Sequence, residues 1–245
     1  MGKEIELKVP VSHEQFNAIY QKIYVQKKHE NIIILESNTD KISKSDEYFT
    51  RYNSREEMIK YNEPQVIRIR TEIINGKKQS YFTIKRKTLE NGIEVNKEDE
   101  TFLENDEALR ILFEEAGYKR WFYKEKTSYS SYCALEEGAG NKSDATGKCV
   151  NIAEKGLEGA VKDSDCAGQT SFHLELVTVN GMNYVEVELV IDDDEAETDS
   201  ADCRKTKKPE ANLKAELEKF IIALGLNPAD KDPRSWYQII SENNH

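Results

Sequence analysis

Glu4-Ile5-Glu6-Leu7-Lys8-Val9, close to the N-terminus, is the stretch that decides the fold of this chain. In an extended strand successive side chains point to opposite faces, so Glu4, Glu6 and Lys8 share one face and the apolar residues share the other. Such alternation is typical of an antiparallel strand with one face in water. Two neighbouring carboxylates also repel each other unless solvent or a cation separates them, and hard divalent cations prefer oxygen ligands of this kind.

The composition is that of a soluble globular protein, with 33% charged and 38% apolar residues in a chain of 245. No run approaches the roughly 18 apolar residues of a membrane span, and the N-terminus is acidic where a signal peptide is basic and then apolar. We therefore expect a cytoplasmic protein that contacts no membrane. The net charge of −11 argues against nucleic-acid binding, although a local basic cluster can still bind a small anion.

Charged pairs on one strand face recur along the chain, and each pair has a single sign. The turn signals Asn75-Gly76, Asn91-Gly92 and Asn180-Gly181 favour hairpins between the predicted strands. The carboxylate pairs are Glu4/Glu6, Glu98/Glu100 and Glu186/Glu188, and the cationic pairs are Arg68/Arg70, Lys85/Lys87 and Lys124/Lys126. A strand face that is merely solvated would more readily mix signs and include Thr, Ser or Gln.

Two interpretations of these pairs stay open at this point. In one, the sheet has a solvated face on which the pairs form ordinary cross-strand salt bridges. In the other, the pairs face the interior of a barrel, where unpaired charges would each cost several kcal/mol unless water or counter-ions fill the space. A polyphosphate with a divalent metal suits the second arrangement, because phosphate oxygens bind Arg and Lys while carboxylates hold the metal.

The ordered motifs together resemble the CYTH, or triphosphate tunnel metalloenzyme, superfamily. Glu4 to Lys8 is similar to its ExExK signature, and the likeness extends through Asp46–Phe49, Ile67–Arg70, Thr83–Lys85, the acidic strand at Glu98/Glu100, Lys124–Lys126 and Tyr184–Glu188. Arg234-Ser235-Trp236-Tyr237 is similar to the closing segment of the class IV adenylate cyclase-like branch.

The resemblance implies an α+β fold in which an antiparallel eight-stranded β-barrel forms a tunnel flanked by helices. We interpret 1–245 as a single domain of this kind. Residues 134–169 are rich in Gly, Ala, Asp, Lys and Ser with little periodicity, and we interpret them as an insertion within that domain.

The same resemblance implies roles for individual residues. Glu4, Glu6 and Lys8 would be the catalytic signature. The metal ligands, for Mg²⁺ or Mn²⁺, would be Glu4, Glu6 and Glu188, with Glu98, Glu100 and Glu186 as further candidates. The phosphate-binding residues would be Lys8, Arg68, Arg70, Lys85, Lys124 and Lys126. Family patterns often have Arg in place of Lys126, and lysine keeps the charge without the bidentate fork.

Three functions agree with this interpretation. The first is a metal-dependent triphosphatase acting on inorganic triphosphate or a nucleoside triphosphate. The second is a class IV-type adenylate cyclase that makes cyclic AMP and pyrophosphate from ATP. The third is a non-catalytic binder of polyphosphate or nucleotide. The substrate would be the main partner, and a homodimer is left open.

The remaining residues with reactive or aromatic side chains show no ligand-like grouping. The cysteines have no CxxC spacing, so we expect free thiols rather than a zinc site; they are Cys133, Cys149, Cys166 and Cys203. For His173 we expect a surface or packing role, and for Trp236 we expect packing against the outer barrel face or a helix.

Overall fold

Antiparallel strands close into a barrel in the computed structural model, which describes residues 2–64, 66–136, 170–191 and 210–243. The strands are β1 (Gly2–Val11), β2 (Ile32–Ser37), β3 (Ile42–Thr50), β4 (Val66–Ile74), β5 (Lys77–Glu90), β6 (Ile93–Leu103), β7 (Lys119–Leu135), β8 (Ser171–Val179) and β9 (Met182–Ile191). Their order is β2-β7-β3-β4-β5-β6-β1-β9-β8, and pairing of β8 with β7 closes the ring. Eight strands form the barrel, and β2 extends the sheet beside β7, as the family resemblance implies.

The two faces of β1 have different surroundings, as the alternation of its side chains predicts. β1 lies between β6 and β9, with Glu6 opposite Glu94 on one side and Glu188 on the other. Ile5 and Leu7 point outward and are buried in the main hydrophobic cluster. The charged face of the strand therefore points into the barrel, and the apolar face contributes to the core outside it.

Within the described residues the chain also forms five α-helices, of which the first and the fourth cover that outer apolar face. They are α1 (His13–Tyr20), continued by a π-helical turn (Gln21–Val25), α2 (Arg55–Lys60), α3 (Asp106–Glu115), α4 (Glu210–Ala223) and α5 (Trp236–Asn243). Ser12 caps α1 through a capping box with Gln15. Phe16 of α1 and Phe220 of α4 pack on the outward residues of β1, β8 and β9. The main hydrophobic core thus lies between the barrel wall and the helices.

The predicted hairpins are confirmed at all three Asn-Gly turns. Both residues of each turn have positive φ, for example 52° at Asn75 and 76° at Gly76. Type I′ turns require this geometry, which matches the twist of the paired strands. These turns connect β4 to β5, β5 to β6 and β8 to β9.

Several predictions fall outside the described residues. The insertion predicted at 134–169 does so from 137 to 169, while Ala134 and Leu135 still belong to β7. Cys133 is a buried free thiol, as expected, and the other three cysteines lie in the undescribed ranges. Along the described part of the chain, the helices are too short or too polar to cross a membrane. The single domain, the cytoplasmic location and the homodimer stay predictions.

Candidate active site

The barrel encloses a cavity of about 320 Å³, and each of its eight strands contributes a charged side chain to the lining. Among the residues that the structure describes, seven cationic side chains line it: Lys44, Arg68, Arg70, Lys85, Lys87, Lys124 and Lys126. Eight carboxylates from the same described ranges line it as well: Glu4, Glu6, Glu72, Glu98, Glu100, Glu175, Glu186 and Glu188. The same-sign pairs predicted from the sequence therefore converge on one interior, and the solvated-face interpretation is wrong.

Asp46 is the centre of a cation cluster on one side of the cavity. Its carboxylate accepts two hydrogen bonds from Arg70, at 2.7 Å from Nε and 3.1 Å from Nη2. Lys124 Nζ lies 3.0 Å away and Arg68 Nη1 lies 3.9 Å away. Burial raises the pKa of Asp46, but these cations outweigh it and hold the pKa well below its usual value. Asp46 is thus an internal counter-ion for three predicted phosphate-binding residues.

Lys124 is the cation of this cluster whose pKa is lowered, so its protonated form is the least stabilised. It is fully enclosed between the Tyr48 and Trp236 rings, with Nζ 5.9 Å and 5.4 Å from their centroids. Burial and the nearby cations Lys126 and Arg70 together lower the pKa of Lys124 to about 8, although Asp46 raises it. A bound anion would restore its protonated form.

Carboxyl groups cluster on the opposite side around Glu4. Burial, together with the charges of Glu188 and Glu98, raises the pKa of Glu4 to about 9, although Lys85 lowers it. The neighbouring carboxylates thus disfavour a negative charge on Glu4. Lys85 Nζ lies 2.9 Å from Glu4 and 2.8 Å from Glu98, with Glu6 at 3.8 Å.

Glu188 is held by a chain of polar side chains at the rim of this cluster. His173 Nδ1 lies 3.5 Å from Glu188 Oε2, and His173 Nε2 lies 2.8 Å from the Ser130 hydroxyl. Tyr132 stacks on the imidazole with ring centroids 4.9 Å apart. Burial raises the pKa of Glu188, but hydrogen bonds from His173 and Glu4 lower it to about 2.

Lys126 is neutralised within the protein. Its Nζ lies 2.9 Å from both Glu175 and Glu186. Glu175 also forms a salt bridge with Lys44 at 2.5 Å, and Glu186 also accepts a hydrogen bond of 2.7 Å from Trp236 Nε1. The predicted metal ligand Glu186 is therefore engaged by two donors in this arrangement.

The structure places most of the predicted site residues in one cavity, but they differ in the side chains with which they pair. Lys8 points inward yet pairs with Glu94 at 3.4 Å and does not line the cavity. Glu100 accepts hydrogen bonds from Arg68 at 3.2 Å and from Thr83 at 2.7 Å. The predicted catalytic, metal and phosphate roles of all these residues stay predictions.

Some residues around the cavity are not predicted from the sequence, and others are predicted to have a different role. Lys44 and Asp46 have opposite signs on one face of β3, and Glu175 is a single carboxylate on its face of β8, so none of the three belongs to a same-sign pair. His173 packs against Tyr132, as expected, and it also lines the cavity, as does Trp236, for which packing alone was expected. Inward-facing charges of either sign on the barrel strands are the signal that would have found the charged members of this group.

The carboxyl donors fit a hard divalent cation. Glu4, Glu98 and Glu188 offer only oxygen ligands, the kind that Mg²⁺ and Mn²⁺ prefer. Burial and the mutual repulsion of these carboxylates, which raise the pKa of Glu4 to about 9, make a positive charge among them favourable. In their present rotamers, no three acidic, imidazole or thiol groups among the described residues are arranged to hold a metal ion, and Lys85 Nζ lies among Glu4, Glu6 and Glu98 instead.

No family model and no curated protein sequence matches this chain, and its similarities are to solved structures. A Pyrococcus horikoshii protein matches with a TM-score of 0.59 and 18% identity, over 98% of this chain and 99% of that one. A candidate adenylate cyclase from Vibrio parahaemolyticus matches with a TM-score of 0.52 and 14% identity, over 97% of each chain. A candidate adenylyl cyclase from Hippeastrum, described with a dominant triphosphatase activity, matches with a TM-score of 0.50 and 12% identity, over 99% and 96%. At these identities the matches establish that this chain shares the fold of those proteins.

Proposed function

We propose that this chain belongs to the triphosphate tunnel metalloenzyme superfamily and is a divalent-metal-dependent triphosphatase. Its substrate would be inorganic triphosphate or a nucleoside triphosphate bound inside the barrel. The observation that carries the proposal is the mixed lining of the cavity, in which cationic side chains are outnumbered, seven to eight, by carboxylates. A polyanion alone would not enter such a cavity favourably, whereas a polyanion accompanied by divalent cations would satisfy both sets of side chains.

The cations supply the phosphate site. Arg68, Arg70 and Lys124 are buried beside one another and all lie within 3.9 Å of one carboxylate, Asp46, while Arg68 also pairs with Glu98 and Glu100. Phosphate oxygens that replace or join Asp46 would meet planar guanidinium donors suited to bidentate contacts. Because the donors are already fixed by the barrel wall, little reorganisation is needed when charge develops on the transferred phosphoryl group.

The carboxylates would hold the metal. Glu4, Glu6 and Glu188 are the leading ligands, with Glu98, Glu100 and Glu186 as further candidates, and Mg²⁺ or Mn²⁺ bound there would neutralise phosphate charge as a Lewis acid. Glu4 must lose its proton to act as a ligand, since its pKa is raised to about 9 in the ligand-free protein. Glu4, Glu6 and Lys8 form the catalytic signature of the proposal, with a carboxylate orienting the water that attacks the terminal phosphorus.

A class IV-type adenylate cyclase is the second candidate. It is favoured by the structural neighbours from Vibrio parahaemolyticus and Hippeastrum, both described as candidate cyclases. The cyclase would use the same cation cluster but would place the ribose 3′-hydroxyl in line with the α-phosphorus. Hydrolysis ranks first because the Hippeastrum protein is described with a dominant triphosphatase activity.

A product assay tests both candidates. Purified protein is incubated with Mg²⁺ or Mn²⁺ and either inorganic triphosphate or ATP, and orthophosphate, pyrophosphate and cyclic AMP are quantified. Orthophosphate release supports the triphosphatase, cyclic AMP with pyrophosphate supports the cyclase, and binding without any product supports a non-catalytic binder. Glu4→Gln and Arg70→Ala should each abolish turnover, whereas Glu47→Gln, which changes a carboxylate on the outer face of β3, should not. Full turnover in both tunnel variants would refute the assigned site.

A further inference from the structure

Lys44 lies on the inward face of β3, and the family resemblance gives it no role. It shares that face with Asp46 and Tyr48, because side chains two residues apart on a strand point to the same side. Lys44 is 8% exposed and lines the cavity inside the barrel. Two residues along a strand correspond to about 7 Å, so Lys44 lies that far from Asp46 along β3. It therefore lies beyond the cation cluster around Asp46, on the side away from the Tyr48 ring.

A second cation, Lys126, lies directly opposite Lys44 across the pairing of β3 with β7. Like charges in such opposed positions destabilise a sheet, and an anion between them removes the repulsion. Here the anion is Glu175 of β8, whose Oε1 lies 2.5 Å from Lys44 Nζ and whose Oε2 lies 2.9 Å from Lys126 Nζ. The Ser128 hydroxyl donates a further hydrogen bond of 3.3 Å to Oε1. One carboxylate thus joins the two ammonium groups through its two oxygens.

Glu175 shows that the space between these two lysines stabilises a negative charge. Burial raises the pKa of Glu175, but Lys126 and Lys44 outweigh burial and hold the pKa well below its usual value. Two oxygens of a phosphoryl group offer a pair of ammonium groups the same pattern of charged acceptors. The position is therefore suited to a second anion that approaches from the cavity.

Lys44 and Lys126 each keep a donor for such an anion. An ammonium group has three N–H donors. Among the described residues, the carboxylates within 4 Å of Lys44 Nζ are Glu175 and, at 3.4 Å, Glu72. Those within 4 Å of Lys126 Nζ are Glu175 and Glu186. Each ammonium group can thus donate one more hydrogen bond into the cavity that both residues line, and Glu175 need not leave.

We propose that Lys44 is a further substrate-binding residue, which with Lys126 binds the phosphoryl group at one end of the triphosphate chain and so distinguishes triphosphate from diphosphate. The inference rests on the proposed function, because it places the chain along the inward face of β3. The cluster around Asp46 contains two guanidinium groups and Lys124, so a diphosphate finds its best donors there. The third phosphoryl group extends the chain along β3 to Lys44.

The test measures binding by calorimetric titration in the presence of Mg²⁺, with imidotriphosphate and imidodiphosphate as probes. Nitrogen replaces the bridging oxygens of these probes, so turnover does not disturb the titration. Lys44→Met should weaken imidotriphosphate about tenfold, as the loss of a hydrogen bond between charged groups implies, and should change imidodiphosphate by less than about twofold. Lys44→Arg keeps the charge and should bind imidotriphosphate within about threefold of the native protein.

Lys78→Met is the matched control, because it removes the same charge outside the cavity. The Lys78 side chain is 57% exposed and pairs with Asp106 at 2.9 Å, so both probes should bind this variant as they bind the native protein. Lys44→Met should keep its fold, since Glu175 retains Lys126 as a partner. An equal loss for both probes, or no loss for imidotriphosphate, would overturn the role of Lys44. If the native protein bound neither probe, the proposed function would fail instead.

Discussion

Replacing Asp46 by asparagine removes one negative charge from the centre of the cation cluster and leaves the shape of the side chain nearly unchanged. In the native protein Arg70, Lys124 and Arg68 all lie within 3.9 Å of this carboxylate, which has no solvent exposure. The asparagine keeps an acceptor for Arg70 but turns an amide donor toward the remaining cations. Arg68 would keep Glu100 at 3.2 Å and Glu98 at 3.5 Å, whereas Arg70 would keep only Glu72, at 3.9 Å, among the described carboxylates within 4 Å.

The structure sets the size of the effect. Removing one partner of a buried ion pair costs about 3–5 kcal/mol, because the other charge stays buried without compensation. Each kcal/mol shifts the melting temperature of a domain of this size by about 2–4 °C, so the ligand-free variant should melt roughly 6–20 °C below the native protein. The variant should still fold, because natural domains are stable by about 5–15 kcal/mol and the hydrophobic core lies outside the barrel.

Triphosphate should reverse this loss. An anion in the cavity replaces the missing charge of Asp46, so inorganic triphosphate should bind the Asp46→Asn protein more tightly than the native protein. Because a ligand that binds only the folded state stabilises by RT ln(1 + [L]/Kd), the variant should gain more melting temperature than the native protein at equal triphosphate concentration. Thermal unfolding followed by circular dichroism, with and without triphosphate and Mg²⁺, measures both quantities.

Glu47→Gln is the matched control. Glu47 is the next residue of β3 and points to the outer face, where it pairs with Arg110 at 2.6 Å and Arg120 at 3.3 Å. Its loss should cost about 1 kcal/mol or less, since the pairs are partly exposed, and triphosphate should not restore it. An Asp46→Asn protein as stable as the native one, or one that triphosphate stabilises no more than Glu47→Gln, would refute the counter-ion role of Asp46.

Three further predictions concern the tunnel. Lys126→Met should destabilise the protein by about 3 kcal/mol in urea unfolding at pH 7, because Glu175 and Glu186 lose the cation between them. Unchanged stability would show that the two carboxylates are already neutral. Without metal, the stability of the protein should fall as the pH rises from about 5 to 9. The reason is that the pKa of Glu4 is raised from 4.5 to about 9, so the folded state keeps a proton that the unfolded state has released. In denaturant titrations, Glu4→Gln should flatten this dependence of stability on pH. Arg70→Lys should weaken triphosphate binding about tenfold in a titration, since lysine keeps the charge without the bidentate fork, and equal affinity would count against that contact.

The barrel could be predicted from the sequence because its signals are local. The alternation around Glu4 and Glu6 sets which face is polar, and the Asn-Gly pairs at Asn75, Asn91 and Asn180 set the hairpins. Side-chain period and turn type are properties of a few consecutive residues, so they need no knowledge of the rest of the chain.

The pairing of charges inside the barrel could not be predicted in the same way. Strand alternation places Lys126 in the interior, but only the register between strands shows that it meets Glu175 and Glu186. Lys85 was expected to face a phosphate, and in the structure its ammonium group lies among carboxylates. The sequence alone also gave no reason to assign Asp46 a role, because its partners come from two other strands.

The position of β1 has a consequence for folding during synthesis. This strand pairs with β6 on one side and with β9 on the other, so its second partner is translated about 180 residues later. At about 5–20 residues per second, β1 waits roughly 10–40 s on the ribosome before that partner is available. Pairings so distant in sequence also form slowly once both strands exist. A nascent chain stalled before β9 would expose the Ile5 and Leu7 face and one open strand edge, which makes it a substrate for chaperones until the ring can close.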